Sequence, residues 1–151
     1  MSRSGVADLP LLEALRAHAT DPDLLHLIEP DETERSWRRL LATPDHELWL
    51  ISWPPGAATD WHDHGPSAGA FTVLRGSLVE HTFQGGLQLV GVGPGESRAF
   101  AAGYAHDVRN EGSEPALSLH AYAPRLTQMT RFRFRGDRLD VLGVERAGED
   151  W

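Results

Sequence analysis

Between Asp8 and His18 the apolar residues Leu9, Leu12 and Leu15 recur every third position, and Pro10 sits near the start, where its missing amide hydrogen is tolerated. The spacing predicts a short helix. A second begins after Asp21-Pro22 and carries Leu24, Leu25 and Ile28. The next stretch, ETERSWRRLL over 32–41, fits either a continued helix or a strand with Trp37 and Arg39 on one face. Beyond Glu47 the pattern changes to short apolar runs: ELWLISW, AFTVLRG, SLVEHTF, LQLVGV, ESRAFA, ALSLHAY and TRFRFR. Pro54-Pro55-Gly56, Gly76, Gly85-Gly86, Gly93-Pro94-Gly95 and Glu111-Gly112 separate them at intervals of roughly ten residues, the punctuation of an antiparallel sandwich or barrel.

The expected organisation is a single domain over 1–151, with a short α-helical N-terminal cap over about 8–41 and a β-barrel over about 47–144. Trp49, Trp53, Phe71 and Phe100 read as barrel core. The alternation Arg131-Phe132-Arg133-Phe134-Arg135 reads as a half-exposed edge strand whose charges deter pairing. The tail from Glu145 to Trp151 is acidic and is expected to be loosely ordered.

Composition narrows the function. With 14 Lys+Arg against 22 Asp+Glu the formal net charge is -8, which disfavours a nucleic-acid backbone or an anionic membrane as partner. An anionic substrate would then need a local cation. There are 0 cysteines, so cysteine-ligated metals and a protein thiol nucleophile are excluded, and redox chemistry has to come from a bound cofactor. No apolar leader or bilayer-length run is visible, so a cytoplasmic protein is expected, either a monomer or a small homo-oligomer.

His62 and His64 stand two apart at what reads as a strand entrance, where positions i and i+2 share a face, so both imidazoles can reach one ion. Taken alone, Asp60-Trp61-His62-Asp63-His64 reads equally as a polar surface loop. Its frame adds information. Gly56 precedes His62 by six positions and Gly76 closes the next strand; a second block then runs Gly95, Ala101-Ala102-Gly103, His106, Asn110. Together the two blocks resemble the paired motifs of the cupins, which implies a mainly β, antiparallel jelly-roll barrel with His62, His64 and His106 directed inward as metal ligands. Ala101 stands where that pattern has proline, and Gly69 where it has a liganding glutamate.

Three-histidine cupins resemble the thiol dioxygenases, cysteine dioxygenase and its relatives. Animal members carry at the glutamate position a cysteine crosslinked to a tyrosine, and many bacterial members carry glycine, as Gly69 does here. Ser118, His120 and Tyr122 alternate along an apparent strand and therefore share a face. They match the Ser-His-Tyr relay of that family. Arg39, in Trp37-Arg38-Arg39, matches its aromatic-x-Arg segment and is expected, with Tyr122, to hold a substrate carboxylate; Arg35, Arg38 and Arg131 are its competitors. The resemblance implies an iron(II) enzyme that adds O2 to a small thiol, L-cysteine first, to give a sulfinic acid. The alternatives are 3-mercaptopropionate as substrate, favoured if Arg131 turns inward rather than Met129, and a non-catalytic ligand-binding cupin. His18, His26, His46 and His81 read as structural.

Overall fold

The computed structural model describes residues 3–28 and 33–146. Helix α1 (Arg3–Ala19) is followed by a single 3-10 turn (Pro22–His26) and ten strands: β1 (Ser36–Ala42), β2 (Glu47–Trp53), β3 (Ala68–Arg75), β4 (Leu78–Phe83), β5 (Leu87–Val92), β6 (Ser97–Phe100), β7 (His106–Arg109), β8 (Ala116–Ala123), β9 (Gln128–Phe134) and β10 (Leu139–Arg146). One sheet has the order β1-β2-β8-β3-β6; opposite it lie the β5-β4-β7 sheet and the β9-β10 hairpin. Every named pairing is antiparallel. His62 joins the last two groups, because it bridges both His106 on β7 and Arg131 on β9. The arrangement is a cupin-type barrel, as the resemblance to the cupin motifs implies.

The apolar runs of β2 and β8 are unbroken because both of their faces are covered. On β8, Leu117, Leu119 and Ala121 face outward and join Leu48 and Leu50 of β2 beneath Leu11 and Leu15 of α1. The alternate positions face the barrel interior, where Ile51, Trp53, Phe71, Val73, Leu78, Phe100, Val108 and Tyr122 form a second cluster. Each leucine fully buried under the helix contributes about 1.5–3 kcal/mol, which outweighs the weak intrinsic tendency of so short a helix to form. The helix is longer than its leucine spacing predicts, and Leu11 is buried where the spacing named Leu12, which is half-buried. The side chain of Leu9 lies outside the described residues. Asp21 caps the 3-10 turn by accepting a hydrogen bond from the Asp23 amide at 2.9 Å.

Four departures from the sequence pattern matter. The segment with Trp37 and Arg39 is a strand, so the cap ends before Ser36 and does not reach residue 41; β1 pairs with β2 in the register Trp37↔Ile51 and Arg39↔Trp49, with a bulge between Arg39 and Leu41. The Arg-Phe alternation of β9 is not an edge: β10 pairs along it and is the edge instead. β10 escapes the pattern because a register shift between Val141 and Gly143 breaks its alternation. β7 has only four residues, HDVR, too short and polar to stand out. Glu145 and Arg146 end β10, and the rest of the acidic tail lies outside the described residues. No helix among the described residues is long and apolar enough to cross a membrane.

Candidate metal centre

The segment between β2 and β3 crosses the barrel mouth and carries His62 and His64. It is pinned to β7 by two backbone bonds, His62 N to His106 O at 3.0 Å and His106 N to His62 O at 2.9 Å, which set those two residues opposite each other. Gly65 then turns the chain away with φ +55°; a Cβ there would lie 2.7 Å from Cγ of Gln128, so both conformation and room demand glycine. Expected ligands from two separated motifs thus meet. The imidazoles of His62, His64 and His106 are buried and offer nitrogens that all lie within 4.8 Å of one another.

Hydrogen bonds fix which nitrogens face inward. His62 Nδ1 donates to the Asp60 carbonyl at 2.8 Å, and Asp60 reaches that place with φ +64°. His106 Nδ1 donates to Glu80 Oε2 at 2.7 Å. Both Nε2 atoms therefore carry lone pairs. His62 Nε2 stands 3.1 Å from His64 Nε2, and His64 Nδ1 is buried without a hydrogen-bond partner. Buried lone pairs turned toward one centre are unfavourable unless a partner satisfies them, and three imidazole nitrogens so close together suit a cation, so the residues present fit a divalent ion with nitrogen ligands.

Glu80 escapes notice in the sequence and is central in the structure. It is 1% exposed, and its second oxygen accepts from Arg98 Nε at 2.7 Å. Burial alone would raise its pKa, but the hydrogen bonds and charges of His106 and Arg98 outweigh burial and hold it below the usual carboxylate range. A carboxylate behind a ligand imidazole fixes ring plane and tautomer. Replacing Glu80 by glutamine should weaken metal binding about 10–100-fold, measured by chelator competition, while leaving the number of bound ions unchanged.

Burial pushes His62 and His64 well below 6.5, with the neighbouring imidazoles adding to it, and lowers His120 to about 3 by burial first and then through His106 and Arg35. These bases bind protons more readily in the unfolded chain than in the folded one. Their contribution to stability is complete above the unfolded value and is lost as pH falls through the window down to the folded value. Glu80, with its depressed pKa, acts in the same direction. The metal-free protein should therefore melt at steadily lower temperature as pH is taken from about 7 to about 4; a flat profile would contradict neutral burial.

Beside His62 and His106 opens a cavity of about 90 Å³. Since one water needs roughly 10–15 Å³ by this measure, it suits a molecule of a few heavy atoms. Trp37, Trp49, Ile51, Leu126, Met129, His120 and Tyr122 contribute to its wall, together with Arg35 and Arg131. No aspartate or glutamate among the described residues lines it.

Ser118, His120 and Tyr122 all face this interior from β8. Ser118 Oγ accepts from Trp53 Nε1 at 2.8 Å and so spends its own hydrogen on His120 Nε2 at 2.7 Å. The third link is absent: no hydrogen bond joins His120 to Tyr122, whose rings stack with centroids 6.4 Å apart. Burial raises the Tyr122 phenol well above its usual pKa, so it remains a hydrogen-bond donor.

Arg39 does not line the cavity. It is 51% exposed, stands 3.8 Å from Glu47 Oε2 and lies over the Trp49 ring at 5.8 Å. Arg38 turns outward and donates to the Leu27 carbonyl at 3.1 Å. Arg131 reaches the cavity but is tied to Glu145 and to the Thr59 carbonyl. Arg35 lies over the Trp37 and Trp53 rings at 5.8 and 5.4 Å and has no carboxylate partner among the described residues. Burial and then Arg131 lower its pKa, the signature of a cation short of a counter-ion. The inward arginine thus comes from the segment just ahead of β1, where the sequence pointed to Arg39.

The family model for cysteine dioxygenase type I matches residues 5–135. A solved protein from Thermus thermophilus is 28% identical with a TM-score of 0.62, covering 68% of this chain and 95% of that one. An uncharacterised double-stranded β-helix protein from Klebsiella pneumoniae is 21% identical with a TM-score of 0.60, covering 83% and 95% respectively. A cupin superfamily protein from Desulfitobacterium hafniense is 17% identical with a TM-score of 0.57, covering 65% and 84%. The last two likenesses concern the fold alone.

Proposed function

The chain belongs to the cysteine dioxygenase type I family, and from that premise we propose that it is an iron(II)-dependent thiol dioxygenase whose substrate is a small thiol bearing a carboxylate, with L-cysteine first. The observation that carries this reading is the convergence of His62, His64 and His106 beside a small cavity that is also lined by Arg35, whose guanidinium has no carboxylate partner among the described residues.

His62, His64 and His106 would hold the ion, with Glu80 and the Asp60 carbonyl keeping two of the rings in the ligating tautomer. When bound, iron supplies the redox chemistry by which both atoms of O2 pass to the thiol sulfur and give a sulfinic acid. Arg35 receives the substrate carboxylate; its planar fork matches the two oxygens, and its place over two tryptophan rings limits its motion. Tyr122, kept protonated by burial, donates a hydrogen bond into the same space, and the Ser118-His120 pair behind it stays neutral. Trp37, Leu126 and Met129 exclude water from the reacting groups.

A second reading, 3-mercaptopropionate as substrate, is supported by Arg131, which lines the cavity as Met129 does, and by the lack of any acidic side chain among the described lining residues to receive an ammonium group. Oxygen uptake by iron(II)-loaded protein, run in parallel with L-cysteine, 3-mercaptopropionate and cysteamine, separates these readings. Sulfinate from one carboxylate-bearing thiol is the expected outcome. Uptake with none of them would sink the enzyme reading in favour of a ligand-binding cupin.

A further inference from the structure

Two of the three imidazoles are fixed through Nδ1, His62 by the Asp60 carbonyl and His106 by Glu80. The third is not: Nδ1 of His64 is buried and has no hydrogen-bond partner among the described residues. A ligand imidazole ordinarily bonds through its distal nitrogen to a carboxylate, carbonyl or water, and that bond sets the plane of the ring. Among the described residues no protein group sets the His64 ring in that way.

The neighbours of His64 are aromatic. Phe100 stacks on it with centroids 4.7 Å apart and planes 24° apart, and Tyr122 packs against it at 5.0 Å. The same Phe100 ring meets His106 edge to face, also at 4.7 Å. It reaches this depth only because residue 69 is glycine. A Cβ on Gly69 would lie 2.3 Å from Phe100 Cε2 and 2.4 Å from Cζ, closer than two carbons can approach. Gly69 is absent from the positive-φ residues, so it is needed for room and not for backbone conformation. Gly69 and Phe100 are direct cross-strand partners between β3 and β6. The side chain that position 69 lacks is thus replaced in space by the one at position 100.

We propose that Phe100 is a positioning residue for the metal centre: its ring orients His64 by stacking, in place of the missing hydrogen bond, and fills with carbon the room that a fourth protein ligand from position 69 would need. The proposal rests on the metal centre proposed for the three histidines. It makes Gly69 and Phe100 interdependent, since a carboxylate can be introduced at 69 only after the ring at 100 is removed.

The test is anaerobic titration of the metal-free full chain with Co(II), reading affinity by chelator competition and geometry from the visible absorption of the bound ion. Phe100→Leu keeps most of the volume but lacks the flat face, and Phe100→Ala lacks both. Both should bind about 10–100-fold more weakly and with an altered visible spectrum. A purely structural role would lower the melting temperature of the metal-free variants and leave the spectrum of the bound ion as in wild type. Phe100→Leu with wild-type affinity and spectrum overturns the proposal. A measurement on the unaltered protein is independent of variant folding: in the zinc-loaded form the Nδ1 proton of His64 should resonate upfield of those of His62 and His106, and a hydrogen-bonded shift at His64 also overturns it. Wild-type protein that takes up no Co(II) removes the centre and this inference together. Weakened binding in the variants supports the inference even if wild type oxidises no thiol, which would sink the proposed activity alone.

Discussion

His106→Ala is expected to remove metal binding and thiol-dependent oxygen uptake together. The residue is one of only three nitrogens at the centre, and no carboxylate among the described residues stands ready to replace it, since Glu80 is bonded behind the ring. A metal ligand contributes several kcal/mol, and each 1.36 kcal/mol is tenfold, so affinity should fall by about 10³-fold or more. Folding is expected to survive. Glu80 retains Arg98 at 2.7 Å, and His106 keeps its two backbone bonds to His62 whatever its side chain. Metal content, melting temperature and oxygen consumption of the purified variant decide the matter. Full metal occupancy, or uptake at the wild-type rate, would refute the assignment.

The second large effect is expected at Arg35. Truncating one partner of a buried charge pair costs about 2–5 kcal/mol, so Arg35→Gln should lower kcat/KM for a carboxylate-bearing thiol by about 30-fold to about 5,000-fold. The loss should fall mainly on KM, because the carboxylate is bound alike before and during the reaction. Cysteamine, which has no carboxylate, should be affected far less. Arg39→Gln is the control: Arg39 is itself 51% exposed and stands 3.8 Å from Glu47, and that buried carboxylate keeps the Leu126 amide at 2.9 Å when the arginine is removed. If Arg39→Gln raised KM and Arg35→Gln did not, the assignment would have to be reversed.

That contrast marks where the sequence stops being informative. The resemblance to the cupin motifs marks the histidines, and the barrel does turn the two blocks into facing segments; alternation puts Ser118, His120 and Tyr122 on one face of β8, and the resemblance makes that face the inward one. Alternation cannot locate Arg35, which precedes β1 and enters the cavity from irregular backbone, whereas Arg39 shares a strand face with Trp37 and looks equally eligible. The β1 segment itself stays ambiguous because its apolar residues fit both periods, and only pairing with β2 decides between them. Glu80 was within reach. It lies in phase with Leu78 and Thr82, all three buried, and an acidic residue on the inward phase of a barrel strand signals a buried partner. The failed link between His120 and Tyr122 was not, since a shared face fixes direction and not distance.

Burial of β8 on both sides divides this strand by parity. Odd positions 117, 119 and 121 touch only the packing beneath the N-terminal helix, and even positions 118, 120 and 122 touch only the interior. Neighbouring residues about 3.8 Å apart therefore answer to different demands: volume and shape on one register, proton placement on the other. A substitution along this strand can alter the yield of folded protein or the behaviour of the cavity, and whether its number is odd or even says which.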